Sequence, residues 1–289
     1  MNGDALSLVL LGALLHTFWN VFAKKAAGGL AFTWLFGLVG IVLAGPVGVF
    51  LWMTTVPQLN GAAMLAVVAS GLLHVVYLLA LQRGYRESDF SVVYPLARGT
   101  GPLFSVLGAV CLLGELPSTW GWCGIVSILS GIFLISGLPS VFSNPTAKLK
   151  AGLFWGLSTG FCIAIYTVLD GWAVKNLAIS PVLFYILGMA VRSIVLAPFA
   201  LQQREELAVQ WRTNTRYIVA IGVLSPLAYT LILLAMTKAP LSYVAPIREV
   251  SMLLGIVLGA QFLREAISPT RLIGAGCMVT GIVLLTQTV

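Results

Sequence analysis

Apolar runs of membrane-crossing length, parted by short polar connections, make up almost the whole chain. A helix needs about 20 mostly apolar residues to cross roughly 30 Å of hydrocarbon. On that measure the pattern predicts ten spans, near Leu6–Ala23, Ala31–Met53, Ala62–Gln82, Phe90–Leu113, Trp120–Leu138, Gly152–Trp172, Pro181–Leu201, Tyr217–Met236, Leu241–Phe262 and Leu272–Thr288. Most connections are only a few residues long. The two longer ones are Pro139–Lys150, rich in Pro, Ser and Lys, and Gln202–Arg216, which contains Gln202-Gln203-Arg204-Glu205-Glu206. Neither holds a soluble domain. The first falls near the middle of the chain, where a boundary between two halves belongs.

The halves repeat each other. Ser91-Val92-Val93-Tyr94-Pro95 in the fourth span matches Ser242-Tyr243-Val244-Ala245-Pro246 in the ninth, and with one gap Arg98 aligns with Arg248. Gly114-Glu115-Leu116-Pro117-Ser118 aligns with Arg264-Glu265-Ala266-Ile267-Ser268 at a shift of 150, and Gly124 and Gly131 match Gly274 and Gly281 at the same shift. Each half holds an odd number of spans, so the second must enter the membrane from the opposite side. That is the inverted-topology construction of secondary transporters. The expected fold is an all-α integral membrane protein of ten transmembrane helices in two inverted five-helix repeats. Residues 1–138 form the first repeat, 139–150 the connecting loop and 151–289 the second repeat.

Composition removes the soluble alternatives. Of 289 residues, 59% are hydrophobic and 9% charged, against about a quarter charged in an ordinary domain. Mean hydropathy is +1.01. The net charge of +7 does not point to nucleic acid, because the basic residues stand singly or in pairs between apolar runs, as in membrane loops. Eleven Lys/Arg (Lys24, Lys25, Arg83, Arg86, Lys148, Lys150, Arg204, Arg212, Arg216, Arg264, Arg271) fall in connections on one side and two, Lys175 and Lys238, on the other. The positive-inside rule then places both termini outside. The N-terminus carries no basic residue, so the first span is read as part of the fold and not as a cleaved signal. Cys111, Cys123, Cys162 and Cys277 lie in apolar stretches without metal-ligand or redox spacing, which reads as packing.

These features together resemble the drug/metabolite transporter superfamily, in particular its ten-helix EamA-like branch. The resemblance rests on the two five-helix halves and the Ser-x-x-x-Pro opening spans four and nine. The Glu-x-x-Ser before spans five and ten and the Gly-x6-Gly inside them add to it. It covers essentially the whole chain, and it implies a permease of the cell inner membrane without specifying a substrate.

Charged groups inside hydrocarbon are costly unless they face a polar cavity or a partner. Three arginines lie within spans, Arg98, Arg192 and Arg248, with Glu249 read as the clear carboxylate among them. Arg98 and Arg248 each sit about 12 Å into their helices. Inversion brings these depths together near the midplane, where such carriers bind substrate. A guanidinium stays charged and forks onto carboxylate or phosphate oxygens. Arg98 and Arg248 are therefore candidate anion ligands, with Arg192 a third; a structural lock on Glu249 or on backbone carbonyls is the alternative. Adjacent helical residues point about 100° apart, which makes a direct Arg248–Glu249 pair awkward and leaves Glu249 as a candidate proton-coupling group. His16, Asn20 and Lys24 form a polar stripe on span one, and Ser70, His74 and Tyr77 one on span three, with Tyr229 matching Tyr77 in span eight. His16 and His74 are candidates for proton relay or for packing. Trp19, Asn20, Tyr77, Tyr94 and Tyr229 are candidate substrate contacts, as are Tyr166 and Tyr243. Pro95 and Pro246 are expected to loosen their helices.

No nucleotide loop, GxSxG, HExxH or paired catalytic aspartates occur, so the chain reads as a non-enzyme without cofactor or metal. The reading is a secondary carrier of a small anionic or zwitterionic metabolite: a phosphonate, phosphate ester, organic acid or amino acid. The alternatives are an intramembrane enzyme or a lipid-headgroup-handling protein, and a non-transporting receptor. Expected partners are the small-molecule substrate and membrane lipid, with no nucleic acid, and the carrier is a monomer or homodimer.

Overall fold

The computed structural model describes residues 1–26, 28–55, 60–135, 147–254 and 269–287. Among them the chain forms ten helices: α1 (Gly3–Ala26), α2 (Leu30–Thr55), α3 (Gly61–Glu87), α4 (Phe90–Leu113), α5 (Thr119–Ile135), α6 (Ala147–Asn176), α7 (Pro181–Leu201), α8 (Arg204–Lys238), α9 (Leu241–Arg248) and α10 (Pro269–Thr286). Local chemistry sets several ends. The Asn60 side chain accepts from the Ala63 N–H to open α3, Gly114 closes α4 at φ 67°, and Pro181 starts α7 where no N–H is needed. Among the described residues eight helices are long and apolar enough to span a membrane, and α5 is a shorter apolar helix. Their outward residues are large and apolar, among them Val42, Phe50, Leu112 and Ile194, each more than 60% exposed. A surface of that kind faces lipid.

Two expectations from the sequence change. Gln202–Arg216 is not a loop, because α8 begins at Arg204 and runs 35 residues. At 1.5 Å per residue that is about 52 Å, so its charged first turns project beyond the hydrocarbon. The ninth span breaks after Arg248 into a turn at Glu249–Val250 before helix resumes at 251–254, while α4 continues through Pro95. Most of the Pro139–Lys150 connection, the Glu265/Ser268 half of the loop motif and the end of span nine lie outside the described residues.

The packing has the symmetry of an inverted repeat. α4 packs on α6 and α9 on α1; α1 packs on α8 and α6 on α3; α2 packs on α8 and α7 on α3. Each of these pairs becomes the other when the halves are exchanged, and α2·α7, α4·α9 and α5·α10 map onto themselves. The α5–α10 crossing shows the axis directly. Ser127 Oγ donates to the Cys277 carbonyl at 2.8 Å, and these two positions are themselves separated by the repeat shift. On either side, a Cβ placed on Gly124 would sit 2.9 Å from the Gly281 oxygen, and one on Gly131 would sit 2.5 Å from the Gly274 oxygen. Glycine lets the two backbones touch there. Contacts of 124 with 281 and 131 with 274 make the helices antiparallel, which requires a two-fold axis across them, in the plane of the membrane.

Candidate functional site

The half-helix α9 is held from outside by the loop before α5. Glu115 Oε1 and Oε2 accept the Leu241 and Ser242 N–H groups, each at 2.8 Å. A carboxylate there satisfies two orphan donors and complements the helix dipole. Tyr243, a candidate substrate contact, serves this junction instead: its hydroxyl accepts from the Ser118 N–H at 3.3 Å and its ring covers Gly121.

The break that follows α9 builds the first of two polar clusters. Arg98 Nη1 lies 3.3 Å from Glu249 Oε2, and Arg248 Nε lies 3.3 Å from Glu249 Oε1. The direct Arg248–Glu249 pair, judged awkward for a regular helix, therefore forms. Glu249 has left the α-helical path, with φ −74° and ψ 0°, so the 100° separation no longer applies. One carboxylate, 1% exposed, thus serves two guanidinium groups from repeat-related positions. At the repeat shift the counterpart of Glu249 is Gly99, so the pairing is asymmetric. Arg98 Nη2 also lies 2.7 Å from His16 Nε2, its guanidinium sits 5.7 Å from the Tyr94 ring centre, and Trp19 Nε1 points at His16 Nδ1 from 3.1 Å. A neutral imidazole carries one lone pair, so His16 accepts from only one of these two donors at a time. The Asn20 amide bonds the His16 carbonyl of its own helix at 2.6 Å.

The second cluster adjoins it between α3, α6, α7 and α8. His74 stacks on Tyr166 at 4.0 Å and meets Tyr229 edge-on at 5.7 Å; Tyr77 packs edge-on to Tyr166 at 5.8 Å and Tyr185 tilts against Tyr229 at 5.2 Å. The Arg192 guanidinium lies 5.0 Å over the Tyr185 ring. Tyr77 is within electrostatic range of Arg98, Arg248 and Glu249, which makes the two clusters neighbours. A small space, of about the size of one water molecule, is lined by Ser70, His74, Asp170, Phe184, Tyr185, Gly188 and Arg192.

Asp170 corrects the reading of Glu249 as the clear carboxylate within the spans. It is fully buried on α6 and accepts from the Tyr229 hydroxyl at 2.7 Å. It lies within the sixth span, Gly152–Trp172, and the helix continues six residues beyond it. The repeat shift held the signal: Asn20 maps onto Asp170, His16 onto Tyr166 and Thr17 onto Thr167.

Five ionisable groups thus stand in the interior among the described residues, the guanidinium groups of Arg98, Arg192 and Arg248 and the carboxyl groups of Glu249 and Asp170, with the cationic side in excess. Such a set attracts small oxyanions and positions them by forked hydrogen bonds.

Comparison with known proteins gives the same architecture. The family model described as EamA-like transporter family matches residues 4–137 and again residues 150–287. A phosphoenolpyruvate/phosphate translocator 1 of the chloroplast from Oryza sativa subsp. japonica is 20% identical over 95% of this chain and 69% of its own length. An uncharacterized transporter, YwfM, from Bacillus subtilis (strain 168) is 24% identical over 99% of this chain and 95% of its own. A solved crystal structure shares the fold with a TM-score of 0.74 over 99% of this chain and 98% of its own, at 15% identity.

Proposed function

Since the chain belongs to the EamA-like transporter family, we propose that it is a secondary carrier of the cytoplasmic membrane, moving a small anionic metabolite through the space around Arg98, Glu249 and Arg248. One observation carries the reading: two guanidinium groups from inverted, repeat-related positions converge on a single buried carboxylate. An oxyanion entering the site replaces Glu249 as the partner of one or both arginines, so the ligand exchanges with an ion pair already present. Burying the ligand charge is then offset by charge already in place, the condition for binding an ion away from water. The rice relative's name, with two oxyanions in it, supports the same ligand chemistry.

The test is a thermal-stability screen of the purified protein in detergent against small phosphate esters, carboxylates and phosphonates, with amines as controls. A good ligand at 100 times its Kd stabilises by about 2.7 kcal/mol. Stabilisation by oxyanions, lost in Arg248→Ala, is the expected result. Stabilisation by amines alone, with no oxyanion effective, contradicts it.

A further inference from the structure

Glu249 makes ion pairs with two guanidinium groups; Asp170 makes none among the described residues. Asp170 receives the Tyr229 hydroxyl on Oδ2 and has the Ser70 hydroxyl close by, while Oδ1 is fully buried and no donor meets hydrogen-bond geometry at it. An unpartnered carboxylate oxygen away from water is expensive to maintain, and this one borders the small space described above. The groups that face it come from every surrounding helix. α3 brings Ser70 and His74, α6 Tyr166, α7 Tyr185 and Arg192, α8 Tyr229, and Arg248 of α9 acts on it from the neighbouring cluster.

Two features choose the ligand. The tyrosine rings and His74 enclose the carboxylate with π faces and edges, the surroundings that favour an alkylammonium group. His74 Nδ1 lies 2.9 Å from the Ser70 carbonyl, which puts the proton on Nδ1 and, in the neutral ring, leaves the lone pair on Nε2. Arg192 does not occupy the place. Its guanidinium lies over Tyr185 and makes no ion pair with Asp170 among the described residues, so it supplies a donor at the rim and not the partner that Oδ1 lacks.

We propose that the space bordered by Asp170, His74, Tyr185 and Tyr229 is a subsite for a primary ammonium group, so that the preferred substrate is an aminated anion with its oxyanion end at Arg98 and Arg248. This rests on the anion reading and adds a second, separately testable contact. Arg248 acts electrostatically on Asp170 as well as on Glu249, so the two clusters adjoin.

The experiment measures thermal stabilisation and Kd with three probes: ethyl phosphate, 2-aminoethyl phosphate and ethanolamine. The expected result is that 2-aminoethyl phosphate binds about tenfold or more tighter than ethyl phosphate, and that this ratio falls towards one in Asp170→Asn. Tyr229→Phe, which keeps the ring and removes the hydroxyl on Oδ2, should reduce the ratio by a smaller factor and covers the case in which the Asn variant does not fold. Equal binding of the two esters by the parent protein upholds the anion reading and overturns the ammonium subsite. Stabilisation by ethanolamine without ethyl phosphate upholds the subsite and overturns the anion reading. A ratio unchanged by Asp170→Asn overturns the assignment to Asp170, and no effect of any probe overturns both readings.

Discussion

Arg98, Glu249 and Arg248 show how one residue's backbone decides what its neighbours do. The pairing of the two arginines was legible, since the repeat shift aligns them and inversion brings their depths together. The shared carboxylate was not, because the ion pair between adjacent residues needs a helix break that no local pattern announces. Asp170 lay inside the sixth span, where only its alignment with Asn20 at the repeat shift marks it out. We expect Glu249→Gln to destabilise the protein by about 3–5 kcal/mol, since it leaves two interior guanidinium groups without a counter-charge. Thermal unfolding in detergent measures this, and Arg98→Gln combined with Glu249→Gln should recover part of the loss. Arg248→Lys should bind oxyanions poorly, because an ammonium lacks the planar fork.

Among the elements, α5 and α10 were the most readable. Gly124, Gly131, Gly274 and Gly281 share one shift, and the structure places them in two backbone-to-backbone contacts around Ser127 and Cys277. Gly131→Val would push a side chain into the Gly274 carbonyl and the Met278 backbone. Overpacking of this kind costs about 1–3 kcal/mol, so the folded yield of that variant should fall, while Gly276→Ala, with nothing near its Cβ, should be neutral. The Glu-x-x-Ser motif was visible as a repeat, but not its role, since Glu115 caps a helix 126 residues away. Glu115→Ala should cost about 1 kcal/mol as a lost N-cap, read in the same unfolding assay. The start of α8 was missed because Arg204-Glu205-Glu206 lowers hydropathy. Yet Glu, Gln and Arg are strong helix formers, so the helix extends beyond the membrane.

At the scale of the molecule, the inversion was legible from an odd number of spans in each repeat, and the antiparallel α5–α10 crossing carries it. Absolute orientation rests on charge. The eleven Lys/Arg of one side against two of the other lead us to expect both termini outside the cell. In a background without the four cysteines, an impermeant thiol reagent on intact cells should label Asn2→Cys and spare Thr213→Cys. Labelling in the opposite pattern would reverse the orientation and leave the fold untouched. The carrier function itself is decided by transport. Purified protein in liposomes should accumulate at least one small oxyanion above protein-free vesicles, and Arg248→Ala, unfolding at the parent temperature, should not. Uptake by Arg248→Ala at the parent rate, or accumulation of cations with no oxyanion transported, would contradict the account.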